Sequence, residues 1–234
     1  MFVLSTLKDT VALQPSTFGV PAEQAIINEL NKKYANKVLH DVGLCICVFD
    51  LAQAGEGKVR YGDGCLWHKV VFRLVVFRPF TGEVLLAKVK SSDENSIRLS
   101  VGFFDDMYVP LAFRPIPSAF DPNERAHFWI PMDESELEAQ IPTQHELLDT
   151  PTDRRMYIDS GEIVRVRVEA DEFFDDEPGP PKAAEGVMAA KRERRRSPYT
   201  ITCSIAEQGL GPLDWWKQPE EEPEDEDAMA EDES

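Results

Sequence analysis

Nothing in the 234 residues approaches the roughly 20 consecutive apolar positions that a membrane-spanning helix needs. The opening MFVLSTLKDTV has no basic segment followed by a long apolar one, so no secretory signal is expected there. Cysteine is scarce, at four. That excludes a disulfide scaffold in a chain of this length and points to a reducing compartment. Cys45 and Cys47 stand two apart in an apolar run, where a strand would turn both to one face, so two core-facing thiols are expected. No CxxC pair or neighbouring histidine completes a zinc site around them. The four histidines, His40, His68, His127 and His145, are scattered. GxSxG, HExxH and Walker signatures are all missing. The GDG at 62–64 lacks the third glycine of a dinucleotide fingerprint and precedes a strand, so it reads as a turn. The expectation is no catalytic residue, no metal site and no cofactor.

Basic residues are also in deficit, with 25 Lys and Arg against 43 Asp and Glu and a net charge of −18. That balance disfavours one broad basic surface coating nucleic acid. The charge is uneven. Residues 218–234 hold ten acids and no base, whereas residues 1–80 hold nine bases and seven acids. A disordered acidic tail over 218–234 is expected.

What is present is mostly strand. FVLSTLKDTVAL alternates and is ended by Pro15. A helix follows Pro21, with Ala25, Ile26, Leu30 and Tyr34 on one face and Glu29 and Lys33 as an i, i+4 pair. VGLCICVFDL reads as a buried strand, and KVVFRLVVFRPF as a long one closed by Pro79. These make a small β-α-β-β unit over 1–80. GEVLLAKVK, SIRLSVGFF, MYVPLAF, GEIVRVRVEADEFF and PYTITCSI are five short strands suggesting an antiparallel barrel of OB type over 81–217. Residues 131–153 are polar with little periodicity and read as an irregular loop. Residues 175–197 carry prolines, acids and then five bases at 191–196, with too few large apolar residues to order. The fold class is thus α+β followed by all-β.

An OB barrel binds single strands with aromatics for stacking and bases for phosphate. The matching residues are Lys88, Lys90, Arg98, Phe104, Tyr108, Arg165 and Arg167, with Arg192, Arg194 and Arg195 of the basic insert. Phe103 and Phe104 are adjacent, so one of them faces the core. The acidic tail competes with nucleic acid electrostatically, which favours weak, non-specific contact, and Asp105 and Asp106 would repel phosphate. The apolar strands of the first unit also suggest an uncovered partner-binding patch.

KVVFRLVVFRPFTGEV after the GDG turn resembles the larger, E-type stalk subunits of archaeal and eukaryotic RNA polymerases. MFVL, ELNKKYANKVLHDVGLCICVFDL, SVGFFDD and GLGPLDWW are similar to the RNA polymerase III version. The resemblance spans residues 1 to about 217, outside 131–153 and 175–197. It implies a truncated ribonucleoprotein-like tip domain and an S1-type OB fold, with the junction at Arg78–Val84. It further implies a non-catalytic subunit of a nuclear DNA-directed RNA polymerase that makes transfer RNAs, 5S ribosomal RNA and other short RNAs. The implied partners are a small helical F-type stalk subunit forming a heterodimer, the polymerase III core, initiation factors and single-stranded RNA, with no membrane. Carried onto this chain, Gly62, Asp63 and Gly64 dock the tip on the core. Arg78, Pro79, Phe80, Gly82 and Glu83 lie where the partner is held. The alternative is a free-standing S1/OB module that binds single-stranded RNA.

Overall fold

The computed structural model describes residues 1–132, 142–175 and 196–216. Two β-rich units lie along the chain. The first is an antiparallel sheet of β1 (Phe2–Leu13), β2 (Lys37–Leu39), β3 (Gly43–Ala54), β4 (Lys58–Val59) and β5 (Leu66–Phe77). Its order is β1-β5-β3-β2, with β4 also beside β5. Alternation in β5 sends Val70, Phe72, Leu74 and Val76 to one face. There they bury Ala25, Ile26 and Leu30 of α1 (Ala22–Tyr34).

Three local expectations are corrected here. Cys45 is buried but Cys47 is exposed, because the β3–β5 register shifts between them. A bulge breaks the two-residue periodicity that had put both thiols on one face. The same strand is less buried than its apolar run suggested, with Phe49 exposed. Glu29 and Lys33 do not pair. Lys33 Nζ reaches Asp9 Oδ2 of β1 at 2.5 Å, and Glu29 takes Lys32 at 3.8 Å instead. The Tyr34 hydroxyl donates to the same Asp9 oxygen at 2.7 Å, so two bonds lash the end of α1 to the edge strand.

The second unit is a closed five-stranded barrel of β6 (Val84–Ser92), β7 (Ser96–Ser100), β8 (Met107–Pro110), β12 (Ile163–Phe173) and β13 (Tyr199–Ser204). The order is β13-β8-β7-β6-β12, and β12 closes on β13. One pair departs from the antiparallel expectation, since β13 runs parallel to β8. Register shifts at Val89/Ser91 and Val168/Ala170 bend the two longest barrel strands, which is how a small barrel turns its corners. Leu85, Ala87, Val89, Ile97, Leu99, Met107, Val164, Val166, Val168 and Ile201 fill the interior.

Between β8 and β12 the chain builds a three-stranded sheet of β9 (Ser118–Asp121), β10 (Ala126–Trp129) and β11 (Met156–Ile158). Part of the stretch expected to be irregular is helical, as α2 (Gln144–Asp149). A capping box starts it, with the Thr143 and Glu146 side chains satisfying each other's backbone N–H. Arg155 ties this layer together, reaching Asp121 Oδ2 at 3.0 Å and the Leu148 carbonyl at 2.6 Å. Two-residue β14 (Gly211–Pro212) then pairs with β12. Beyond it, Trp215 lies 5.3 Å from Trp129, ring centre to ring centre, as the aromatic plug of the GLGPLDWW motif. Gly211 has φ of +96°, and a Cβ there would sit 2.9 Å from the Trp215 ring.

Candidate functional site

The joint between the units is built from the ends of β1 and β5. Phe77 is fully buried and belongs to the barrel's apolar cluster together with Leu44, Phe104 and Tyr199. Phe2 meets Phe77 at 5.9 Å and Phe103 at 5.8 Å, and Phe103 meets Phe77 edge-on at 5.0 Å. Edge-to-face contacts of this kind add to simple area burial. Polar contacts close the joint around the aromatics. Arg78 Nε donates to Asp171 Oδ2 at 2.9 Å, Arg78 Nη1 donates to the Asp41 carbonyl at 2.5 Å, and the guanidinium lies over Phe173 at 5.3 Å. The Met1 ammonium bonds Glu83 Oε1 at 2.5 Å, and Glu83 Oε2 accepts from the Phe80 N–H at 3.2 Å. Gly82, at φ +88°, donates to the Val168 carbonyl at 2.7 Å. Pro79 is buried, whereas the Phe80 ring stands in solvent.

Outward-facing residues of four barrel strands form a second surface. Tyr108 on β8 pairs in register with Arg98 on β7, Lys88 and Lys90 lie on β6, and Arg165 and Arg167 lie on β12. The fold therefore brings six of the RNA candidates onto one continuous wall. Most of the positive charge on that wall is already countered. Lys90 pairs with Asp105, and Arg98 donates to Asp106 Oδ1 at 2.8 Å. Arg167 holds Glu169 at 2.7 Å and also Glu207. Arg165 Nη1 donates to the Gly209 carbonyl at 3.0 Å. Lys88 alone of the six has no bonded partner among the described residues. The Lys90 ammonium and the Ser100 hydroxyl hold the Asp105 carboxyl below the usual carboxylate range. Burial raises the Tyr108 phenol. Val84, Leu86 and Ile163 stand exposed among these cations, giving the wall an apolar margin.

Phe104 is a correction. It is buried in the barrel cluster, 5.4 Å from Phe77 and 5.5 Å from Tyr199, so it cannot stack on a base. Its neighbour Phe103 takes the exposed position. Arg192, Arg194 and Arg195, with the acidic stretch 218–234, lie outside the described residues. Gly62, Asp63 and Gly64 form a tight exposed turn before β5. Both glycines have positive φ, and Asp63 Oδ1 accepts from the Cys65 N–H at 3.0 Å. Among the described residues no cluster of three metal-ligating side chains occurs.

Sequence reasoning missed the Phe2–Phe103 contact and the Arg78–Asp171 pair. Only the alternation of β1, which puts Phe2 and Leu4 on one face, hinted at the first. No local signal announces the second, whose members are 93 positions apart.

Residues 83–216 match the family model described as RNA polymerase III subunit Rpc25. Residues 8–64 match the SHS2 domain found in the N terminus of Rpb7p/Rpc25p/MJ0397. The chain is 39% identical over 217 residues to DNA-directed RNA polymerase III subunit rpc8 of Schizosaccharomyces pombe, covering 93% of this chain and 100% of the relative. It is 40% identical over 217 residues to DNA-directed RNA polymerase III subunit RPC8 of Bos taurus, covering 92% and 98%. A more distant match, 30% identical over 107 residues, is DNA-directed RNA polymerase subunit Rpo7 of Saccharolobus solfataricus, covering 46% of this chain and 59% of the relative. With a closed barrel joined to an SHS2-type sheet, and two polymerase III relatives matched along 98 to 100% of their length, this chain belongs to the RNA polymerase III subunit Rpc25 family.

Proposed function

We propose that this chain is the larger, non-catalytic subunit of the RNA polymerase III stalk, acting in the nucleus as a heterodimer with a small helical partner. The observation that carries the heterodimer is the uncovered apolar surface at the joint. Phe2, Leu4 and Phe103 are each 46 to 49% exposed, and Phe80 is 66% exposed. Clustered exposure of this kind on a monomer marks a protein interface. Phe2 and Phe103 touch across the two units, so a partner seated there would clamp one unit against the other. The turn at Gly62–Gly64, at the far end of the first sheet, is the part offered to the polymerase core. Support for initiation then comes through stalk contacts with initiation factors.

The barrel wall from Tyr108 to Arg167 is the surface offered to emerging single-stranded RNA. Its acids cap most of its cations, so contact there is weak and sequence-independent.

The test is co-purification of the full chain, bearing Leu4→Asp with Phe103→Asp, alongside its partner and the polymerase. Both side chains are half-exposed, so the fold is expected to survive. Loss of the small partner with an unchanged melting curve is the expected result. Retention of the partner in normal yield would refute the assignment of the joint as the interface.

A further inference from the structure

We propose that Ser197 is a phosphorylation site, written by an arginine-directed protein kinase, and that the phosphate unlocks the acid–base network on the barrel wall. Nothing in the stalk assignment requires this. Its consequence for RNA rests on the wall being the RNA-facing surface.

The hydroxyl of Ser197 occupies a singular place in that network. It donates to Asp106 Oδ2 at 2.7 Å, and its oxygen lies 3.1 Å from the Tyr199 carbonyl. Asp106 is the hub. Its other oxygen accepts from Arg98 Nη2 at 2.8 Å and lies 3.4 Å from the Tyr108 hydroxyl. Arg98 Nε in turn donates to the Asp105 carbonyl at 2.9 Å, and the Asp105 carboxylate takes Lys90 and, at 2.6 Å, Ser100. A single serine proton, 91 positions away in sequence, thus completes the shell of the acid that neutralises Arg98.

The sequence around Ser197 suits modification. It reads RERRRSP, with arginine at 192, 194, 195 and 196 and proline at 198. An acidic kinase groove reads cations on the N-terminal side of its serine by charge complementarity. Arg196 is exposed, and Ser197 is half-buried two residues before β13 begins. On its C-terminal side the chain is fixed. The Pro198 carbonyl accepts from the Phe174 N–H at 2.9 Å, and Tyr199 is fully buried. The arginines that precede Ser197 in sequence lie outside β13, which begins at Tyr199.

In the transfer step, Ser197 Oγ forms a bond to the γ-phosphorus of ATP. The bond from that phosphorus to the β–γ bridging oxygen breaks, ADP leaves, and the hydroxyl proton passes to the kinase's carboxylate base. The product cannot keep the native contact. The donor hydrogen is gone, and a group carrying about −1.5 to −2 charge now faces the Asp106 carboxylate. Repulsion parts them, and Arg98, the cation paired with Asp106, exchanges its carboxylate for the phosphate, which offers three acceptor oxygens. Tyr108 and Arg98, both RNA candidates, then lie beside a new anion, and the wall loses affinity for a polyanion.

The experiment has two arms. The polymerase-bound chain is purified from its own cells with phosphatases inhibited, and phosphopeptides are mapped by mass spectrometry. In parallel, the purified full chain is treated with ATP and an SR-protein kinase, then compared with the untreated chain by hydrogen exchange. Ser197→Ala serves as control. Phosphate on Ser197, absent in Ser197→Ala, is expected. With it, amide exchange should run about tenfold faster at Met107, Tyr108 and Ile201, the size expected for losing one bond to a charged group. The Ile201 amide is informative because it donates to the Asp106 carbonyl at 3.0 Å. Absence of phosphate at Ser197 in both arms, or modification with unchanged exchange at these amides, would overturn the proposal. Single-stranded RNA binding, measured separately on the two forms, reports on the RNA reading alone.

Discussion

Arg78 and Asp171 join the end of β5 to the far end of β12, Nε to Oδ2, at 2.9 Å. Their side chains are 39% and 23% exposed, so water screens part of the attraction. Arg78 also holds the Asp41 carbonyl and covers Phe173. The pair contributes less than Arg78 itself. A double-mutant cycle of Arg78→Ala and Asp171→Ala by urea unfolding should give a coupling of about 0.5 to 1 kcal/mol, against about 2 kcal/mol for Arg78→Ala alone. A coupling of zero would show that Arg78 acts only through the carbonyl and the ring.

Gly211 and Gly209 make an internal comparison. Both have positive φ, but only at Gly211 would a Cβ meet a ring, 2.9 Å from Trp215, whereas at Gly209 nothing lies within 4 Å. Gly209→Ala should cost about 1 kcal/mol, the backbone term by itself. Gly211→Ala should cost about 3 kcal/mol, because overpacking adds to the same backbone term. Tryptophan emission should shift only in the second variant. Equal costs in chemical denaturation would contradict the packing argument.

Among the described residues, Arg114 is the largest fully buried side chain and makes no ion pair with an acid. Its Nη1 meets Nδ1 of His127, while Nε and Nη2 have no partner among the described residues. Burial lowers the guanidinium to about 10. A buried cation without its counter-ion opposes folding, so a flexible apolar replacement should relieve it. Arg114→Met is expected to raise stability by about 1 to 3 kcal/mol in denaturant melts. A clear loss would mean that the guanidinium is compensated by something other than its described neighbours.

His127 supplies the pH dependence. It is fully buried, and its Nε2 lies 2.7 Å from the Asp93 carbonyl, which makes that nitrogen the donor and leaves Nδ1 to accept from Arg114. Burial, reinforced by the Arg114 charge, drops it from 6.5 to about 4. The folded state therefore resists a proton that the unfolded chain accepts. Stability is full above pH 6.5 and declines as pH falls toward 4, by up to about 3 kcal/mol. Urea unfolding between neutral pH and pH 4 should show the slope, and His127→Gln should flatten it.

How much of this was legible beforehand depended on whether the deciding interaction was local. Val164, Val166 and Val168 alternate with Arg165 and Arg167, so β12 and its outward cations could be read directly. The face of α1 followed from Ala25, Ile26 and Leu30. Cys47 could not be placed, because a bulge is set by the partner strand and not by the strand that carries it. The strands β9 to β11 are three or four residues long and sit among prolines, too short to show a period. For α2 the signal was present, as Thr143 followed three positions later by Glu146, but six residues give no amphipathic pattern to confirm it. On the barrel wall, the candidate cations were visible, as were Asp105 and Asp106, but which acid neutralises which cation was not. Glu207 meets Arg167 from 40 positions away, and Ser197 meets Asp106 from 91.

The parallel pairing of β8 with β13 sets an order of events during synthesis. Met107 and Ile201 are register partners, so the barrel cannot close until the chain has been made past its last long strand. Until then Phe77 and Phe104 lack Tyr199, the residue that completes their cluster. A ribosome-bound chain would thus expose aromatic surface for most of its translation time, and late closure across such a separation slows folding. Truncation anywhere before residue 204 should leave a nascent species that chaperones retain.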